Sequence, residues 1–195
     1  MNRLRIHISA AVLLAIAAHA LTVWALPRLI MDRIITLGGG DAQAQAQSGP
    51  QASTGVYLPP PTDHTQRRIV MPSPDLLYAT CAFDLREGPL HIRMDASYPR
   101  YWSIALYAST TDNFFVVNDR KNLGGSVDLT LIGPRSTKSA APGEILSPTE
   151  RGFLLLRLLV NDDPAVRAVA EATRRSLRCE QPAPDRDPAR AATLH

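Results

Sequence analysis

Two patterns of apolar and polar positions divide the chain. Across residues 6–26 the side chains are apolar almost without a break, with no Asp, Glu, Lys or Arg in 21 positions. As a helix rising 1.5 Å per residue this run would be roughly 31 Å long, about the hydrocarbon thickness of a bilayer. His7 and His19 are its strongly polar members, and Trp24 stands near its far end, where an indole prefers the interface. Leu29, Ile30, Ile34 and Leu37 follow at helical spacing, which predicts that the helix continues along the interface, with Pro27 a place for a kink.

After a polar interval the dominant period becomes two. Leu90-His91-Ile92-Arg93-Met94-Asp95 alternates apolar and polar, as a half-buried strand does. Trp102, Ile104 and Leu106 share one face of the next predicted strand, with Tyr101, Ser103 and Tyr107 on the other. Residues 77–85, 114–117, 128–132 and 153–160 complete the set, and Phe114 and Phe115 fall on opposite faces as core and lid. Turn signals separate the strands: Arg86-Glu87-Gly88-Pro89, Gly124-Gly125, Gly133-Pro134 and Ala141-Pro142-Gly143. Short strands at this spacing, without helices between them, predict a mainly β fold, an antiparallel β-sandwich or jelly-roll-like domain. One C-terminal helix closes it. Asp163 can cap this helix and Pro164 suits its first position. Val166, Val169, Ala170, Thr173 and Leu177 form its apolar stripe, and Arg174, Arg175 and Arg178 suit its C-terminal dipole.

These elements predict four regions: an anchor and juxtamembrane helix (1–37), a flexible Gly/Ala/Gln/Pro linker (38–68), the sandwich (69–180) and a disordered tail (181–195). Charge refines the picture. Arg3, Arg5, Arg28 and Arg33 against Asp32 account for the whole net charge of +3, so the folded part is neutral. It holds no basic cluster interleaved with aromatics, which sets nucleic-acid binding aside. Basic residues ahead of a leading helix place its N-terminus in the cytoplasm, and hence the domain on the far side of the membrane. Ala18-His19-Ala20 has the small-x-small form of a processing site. The apolar run continues past it through Leu21, Val23, Trp24 and Leu26, which favours a retained, single-pass signal anchor.

Several blocks recur in a recognisable order: PSPDLLY (72–78), FDLREGPL (83–90), RYWSIALY (100–107), TDNFFVVND (111–119), LIGP (131–134) and SPTERGFLLLRLLV (147–160). Over residues 69–169 the chain resembles the bacterial domain of unknown function 1254, in its short, membrane-anchored form. The resemblance implies a largely β domain and carries no established chemistry. Longer members of that family join this domain to a companion, of unknown function 1214, which implies a separate chain bearing that domain as a partner. The long form often carries Asn-x-Asp-Thr-x-Tyr. The matching positions here are Ser73, Pro74, Asp75, Leu76, Leu77 and Tyr78, so Asp75 and Tyr78 alone persist.

Candidate chemistry is sparse. Asp75, Tyr78, Asp112 and Asn113, if they converge at one end of the sandwich with Tyr101 or Tyr107, would make a polar pocket with stacking walls, suited to sugars and other small polyols. The competing reading is that Asp and Asn are ordinary turn residues. Arg157 interrupts an apolar strand and needs a carboxylate such as Asp84 or Asp75, as a structural ion pair, or else serves as an anion site. Cys81 shares strand parity with Ala79 and Phe83 and so points inward, while Cys179 follows the last helix. The two could form a disulfide closing a long loop, contributing about 4 kcal/mol in the chain-entropy model. Alternatively one is a buried thiol and the other an exposed one. The common nucleophile, phosphate-loop and metal-ligand motifs are absent, and beyond the span only His64, His91 and His195 remain, so no metal and no cofactor is expected. The sequence therefore favours a non-catalytic binding or assembly module acting with a partner protein, with a carbohydrate- or small-ligand-binding domain as the alternative.

Overall fold

The computed structural model describes residues 2–38, 55–61, 72–86, 88–122, 125–136, 141 and 143–181. Two four-stranded sheets stack on a shared apolar core. Sheet A has the order β1 (Leu76–Asp84), β7 (Arg151–Leu159), β3 (Trp102–Ala108), β4 (Asn113–Asn118). Sheet B has the order β6 (Glu144–Leu146), β5 (Ser126–Ile132), β2 (Leu90–Asp95), β8 (Arg178–Glu180). All neighbours are antiparallel except the short edge pair β5–β6, which is parallel.

Alternation decides which face each strand buries. Leu77, Ala79, Cys81 and Phe83 of β1 point into the core, as do Leu154, Leu156 and Leu158 of β7 and Trp102, Ile104 and Leu106 of β3. Leu90, Ile92 and Met94 of β2, Val127 and Leu131 of β5, and Cys179 of β8 meet them from the other sheet. Between β3 and β4 the register shifts at Leu106/Tyr107: Leu106 faces Phe115 and Tyr107 faces Asn113. Phe114 is the extra residue of this bulge, and both phenylalanines pack against the core instead of one serving as an outer lid.

Helix α2 (Pro164–Ser176) is capped as its sequence predicts, Asp163 accepting from the Ala165 N–H at 2.9 Å. Its buried face differs from the expected stripe. Ala170, Thr173 and Leu177 are buried but Val169 is exposed, and Arg174 is buried in its place. The helix touches β1, β2 and β7 and so closes one side of the sandwich.

Two segments that lie outside the sheets are seated on them. Residues 55–61, expected as part of a flexible spacer, are packed on the domain: Tyr57 and Thr80 exchange backbone hydrogen bonds of 2.8 and 2.9 Å, and Val56 is buried in the core cluster. Gly55 lies so close to the Cys179 carbonyl that an added Cβ would stand 3.0 Å from it, and its φ of +64° suits glycine. The remaining stretches of the expected linker (39–54 and 62–68) and the tail from 182 onward lie outside the described residues. Helix α1 (Asn2–Gly38) is continuous, with Pro27 inside it, and is long and apolar enough to cross a membrane. Arg28 lies over the Trp24 ring at 4.5 Å. Its C-terminal turns do not stay in solvent. Met31 and Ile35 are buried with Phe153 against the outer face of sheet A, joined by Ile34, Ala82, Tyr107 and Leu155, and Arg151 pairs with Asp32 at 3.2 Å.

The hairpin between β3 and β4 carries a local strain. Thr111 has φ +78°, a left-handed conformation that a β-branched residue adopts at a cost of about 1–2 kcal/mol. Thr111→Gly should therefore raise stability by about 0.5–1 kcal/mol once the entropy of glycine is subtracted. The check is the urea midpoint of the full chain in detergent, which should rise at unchanged slope.

Candidate functional site

The outward-facing residues of sheet A form rows across the strands. Tyr78 of β1 lies opposite Arg157 of β7, Arg157 opposite Ser103 of β3, and Ser103 opposite Asn118 of β4. This polar row spans the whole sheet. The next row, Thr80, Leu155, Ala105 and Val116, is mostly apolar, and beyond it Ala82, Phe153 and Tyr107 meet helix α1. The end of helix α1 and the polar row thus share one face.

Arg157 bridges the two. Its guanidinium donates to the Tyr107 hydroxyl at 3.2 Å, although the two residues are offset by four positions along paired strands. At about 3.3 Å per residue that offset is roughly 13 Å, so both side chains must lie along the sheet, over the apolar row between them. Arg157 is accordingly half-buried. Tyr101 extends the site by donating to the Ser103 hydroxyl at 3.0 Å, and the Tyr78 hydroxyl accepts from the Ser73 N–H at 3.0 Å.

The expected Arg157–Asp84 ion pair is not formed. Parity puts Arg157 on the outer face instead of in the core, and Asp84 sits six residues away along the paired strands, opposite Arg151. Asp84 pairs with Arg86 and lies 4.0 Å from Arg151, and the hydrogen bond from the Arg86 side chain holds its carboxyl below the usual range. Among the described residues no carboxylate stands within ion-pair distance of Arg157. Asp75 does not take that role either. Its carboxylate is exposed, and its backbone carbonyl accepts from Val160 at 2.8 Å.

The predicted Asp/Asn pocket is also corrected. Because β1 and β3 run the same way, Asp75 lies at the start of one and Asp112 beyond the end of the other, at opposite ends of sheet A. Asp112 accepts from the Thr110 hydroxyl at 2.7 Å and Asn113 donates to the Leu106 carbonyl at 3.3 Å, both local turn contacts. So Tyr78, Tyr101, Tyr107 and Arg157 come together, and Asp75, Asp112 and Asn113 do not join them. Strand parity had placed Ser103 on this face with Tyr101 and Tyr107 without naming it a site residue, and Asn118 was missed.

A second concavity, of about 800 Å³, lies between α2 and the docked strap, with Pro60, Leu77, Arg167, Glu171 and Arg175 among its walls. Its arginines are already engaged: Arg167 with Asp162 at 3.5 Å, and Arg174 and Arg175 with Glu171 at 2.7 Å. It reads as a structural seam. The cysteines complete the inventory. Both are buried, Cys179 included, in the same core cluster.

The sequence pattern of a family described as "Protein of unknown function (DUF1254)" matches residues 54–181, well over half of the chain. The match begins just ahead of the docked strap and ends just after β8. No curated protein matches the chain. Among solved structures, the VPA0106 protein from Vibrio parahaemolyticus is similar at 13% identity and a TM-score of 0.47, over 55% of this chain and 28% of that one. A putative uncharacterized protein from Burkholderia cenocepacia is similar at 14% identity and a TM-score of 0.44, over 87% of this chain and 52% of that one. The chain therefore spans about half, or less, of the length of each.

Proposed function

The chain belongs to the DUF1254 family of proteins of unknown function, and on that footing we propose that it is a membrane-anchored, non-catalytic module that binds a second envelope protein through the outer face of sheet A. One observation carries this reading. Arg157 is a half-buried cation whose hydrogen-bond partner is a neutral hydroxyl, and it lies on the same face as the seated end of α1. A half-buried guanidinium without a carboxylate is suited to receive one from a partner, and Arg and Tyr are the residue types that most often dominate such contacts.

The docking of α1 also shapes the topological proposal, in which the helix is retained, spans a bacterial inner membrane once and leaves the sandwich in the periplasm. Its last turns hold the sandwich directly beside the span. Because the end of α1 is itself packed on sheet A, that contact sets the height of the domain above the bilayer. A cut after Ala20 would leave the seated turns in place but remove the attachment to the membrane. A separate chain bearing the companion 1214-type domain is the partner we propose.

The test is capture of the full chain in mild detergent. The wild type should return one partner in equal amount. Arg157→Glu should reduce its recovery roughly thirtyfold, as loss of an interface hot spot does, with the thermal midpoint unchanged. Recovery that is indifferent to R157E removes the assignment of this face. The second reading, a carbohydrate or small ligand, rests on the three tyrosines around Arg157, a fork for an anionic group beside aromatic rings. A reproducible, R157E-sensitive thermal shift with uronic acids, in the absence of any partner chain, would favour it.

A further inference from the structure

The described core contains two cysteines, both free thiols here, one contributed by each sheet. Cys81 sits on the inner face of β1 in sheet A, and Cys179 on the inner face of β8 in sheet B. They are 1% and 5% exposed and belong to one cluster of packed side chains. The strap brings their backbones together independently. Tyr57 pairs with Thr80, the neighbour of Cys81, while Gly55, two residues earlier, packs on the carbonyl of Cys179. These are the only two cysteines of the chain.

We propose that Cys81 and Cys179 form a disulfide that fastens β8 and the end of α2 to β1. The bridge would close a loop of nearly a hundred residues, the range in which removing loop entropy from the unfolded chain has its largest effect. β8 is where such a fastening matters. It is a three-residue edge strand, paired through His91, Ile92 and Arg93 alone, and it is the last described element of the domain.

The chemistry balances by exchange with an oxidised dithiol oxidoreductase, the class of donor an oxidising compartment supplies. The Cys81 thiolate attacks the donor's disulfide, forming a mixed disulfide and releasing one donor thiolate. The Cys179 thiolate then attacks the Cys81 sulfur, the protein's S–S bond forms, and the donor leaves as a dithiol carrying the two electrons. The two protons pass to solvent and then to the donor's sulfurs. Burial pushes the Cys179 thiol well up, so in the closed core it is a poor nucleophile. Exchange therefore belongs to the stage before β8 docks. Afterwards the bond is shielded from reductant.

The experiment uses the full chain in isolated membranes, prepared without reductant and denatured in the presence of a polymer-tagged maleimide. The proposal expects no tagged species without prior reduction and a doubly tagged species after it. Two tags without reduction overturn it. A second measurement separates a bond from mere packing. Cys81→Ser, Cys179→Ser and the double variant should each lower Tm by about 10 °C, because either substitution breaks the same bond. Denaturation and refolding in reductant should lower the wild type likewise and leave the variants unmoved. Losses that add in the double variant, or a wild type indifferent to reductant after denaturation and refolding in it, would count as two separate buried thiols and overturn the proposal.

Discussion

Gly152→Ala is expected to destabilise the sandwich by about 4 kcal/mol, enough to abolish folding in a marginal domain. Gly152 occupies an inward position on β7, opposite Phe83 of β1 and Ala108 of β3. A Cβ there would stand 2.3 Å from the Tyr107 carbonyl oxygen and 2.3 Å from Cζ of the Phe83 ring. The ring could turn only by displacing other core residues, since Phe83 is 3% exposed. The carbonyl belongs to the β3 backbone and cannot turn at all without opening the ladder. Relief therefore requires β7 to move away from β3 in the middle of sheet A, and the Tyr107–Arg157 contact goes with it. Gly125→Ala is the control. Nothing stands within 4 Å of its added Cβ, so its φ of +70° leaves only a conformational cost of about 1–2 kcal/mol. Urea unfolding followed by tryptophan fluorescence compares the two. G152A within 1 kcal/mol of the wild type would mean that β3 and β7 are not packed as described.

The difference between those glycines was not legible in the sequence, and the reason is general to this fold. What alternation reports is local. It placed β2 at 90–95 and β3 and β7 within a residue or two, because each of these strands is long enough for period two to repeat. β6 and β8 have three residues each, too few for any period, and exist because their neighbours offer unpaired backbone. The strap left a faint signal, Val56-Tyr57-Leu58 as an apolar island in a polar stretch, which composition alone averaged away. Ile34 and the helical spacing around it showed that α1 had an apolar face beyond Pro27. They could not say that the face would meet Phe153 and Leu155 instead of a membrane interface.

The candidate site followed the same logic. Tyr101, Ser103 and Tyr107 were correctly put on one face of β3, and Ser103 is one of the four members of the polar row. Arg157 was assigned to the interior because the residues around it are apolar. Yet its parity matches Phe153 and Leu155, the residues that α1 covers, so the apolar surroundings come from a second, outer layer of packing. Once that layer is recognised, Arg157 needs no buried carboxylate. Helix α1 and the polar row become parts of one surface, with Tyr107 held by the helix on one side and holding the guanidinium on the other.

Arg174→Ala is expected to lower stability by about 3–4 kcal/mol and to release the strap before the sandwich unfolds. Arg174 is the buried cation of the described core, 5% exposed on the inner face of α2. One terminal nitrogen donates to the Pro59 carbonyl at 2.7 Å and the Tyr78 carbonyl at 3.1 Å, and the other to Glu171 at 2.9 Å. It therefore ties strap, β1 and α2 together through one side chain. Truncation leaves two carbonyls without their donor, at about 1 kcal/mol each or more, and a void where the guanidinium packed. Glu171 keeps Arg175 at 2.7 Å, so its charge is not stranded. Arg174→Lys should recover less than half of the loss, because a single ammonium cannot serve the two carbonyls and Glu171 from the separate positions that the two guanidinium nitrogens occupy. Hydrogen exchange reads the strap directly. The Tyr57 and Thr80 amides, which bond each other's carbonyls, should exchange at least tenfold faster in R174A, a loss of about 1.4 kcal/mol in local opening. The Ile92 and Leu156 amides in the two sheets should slow or quicken only with global stability. Equal acceleration at all four would mean that the strap has no local opening of its own and that Arg174 serves the core alone.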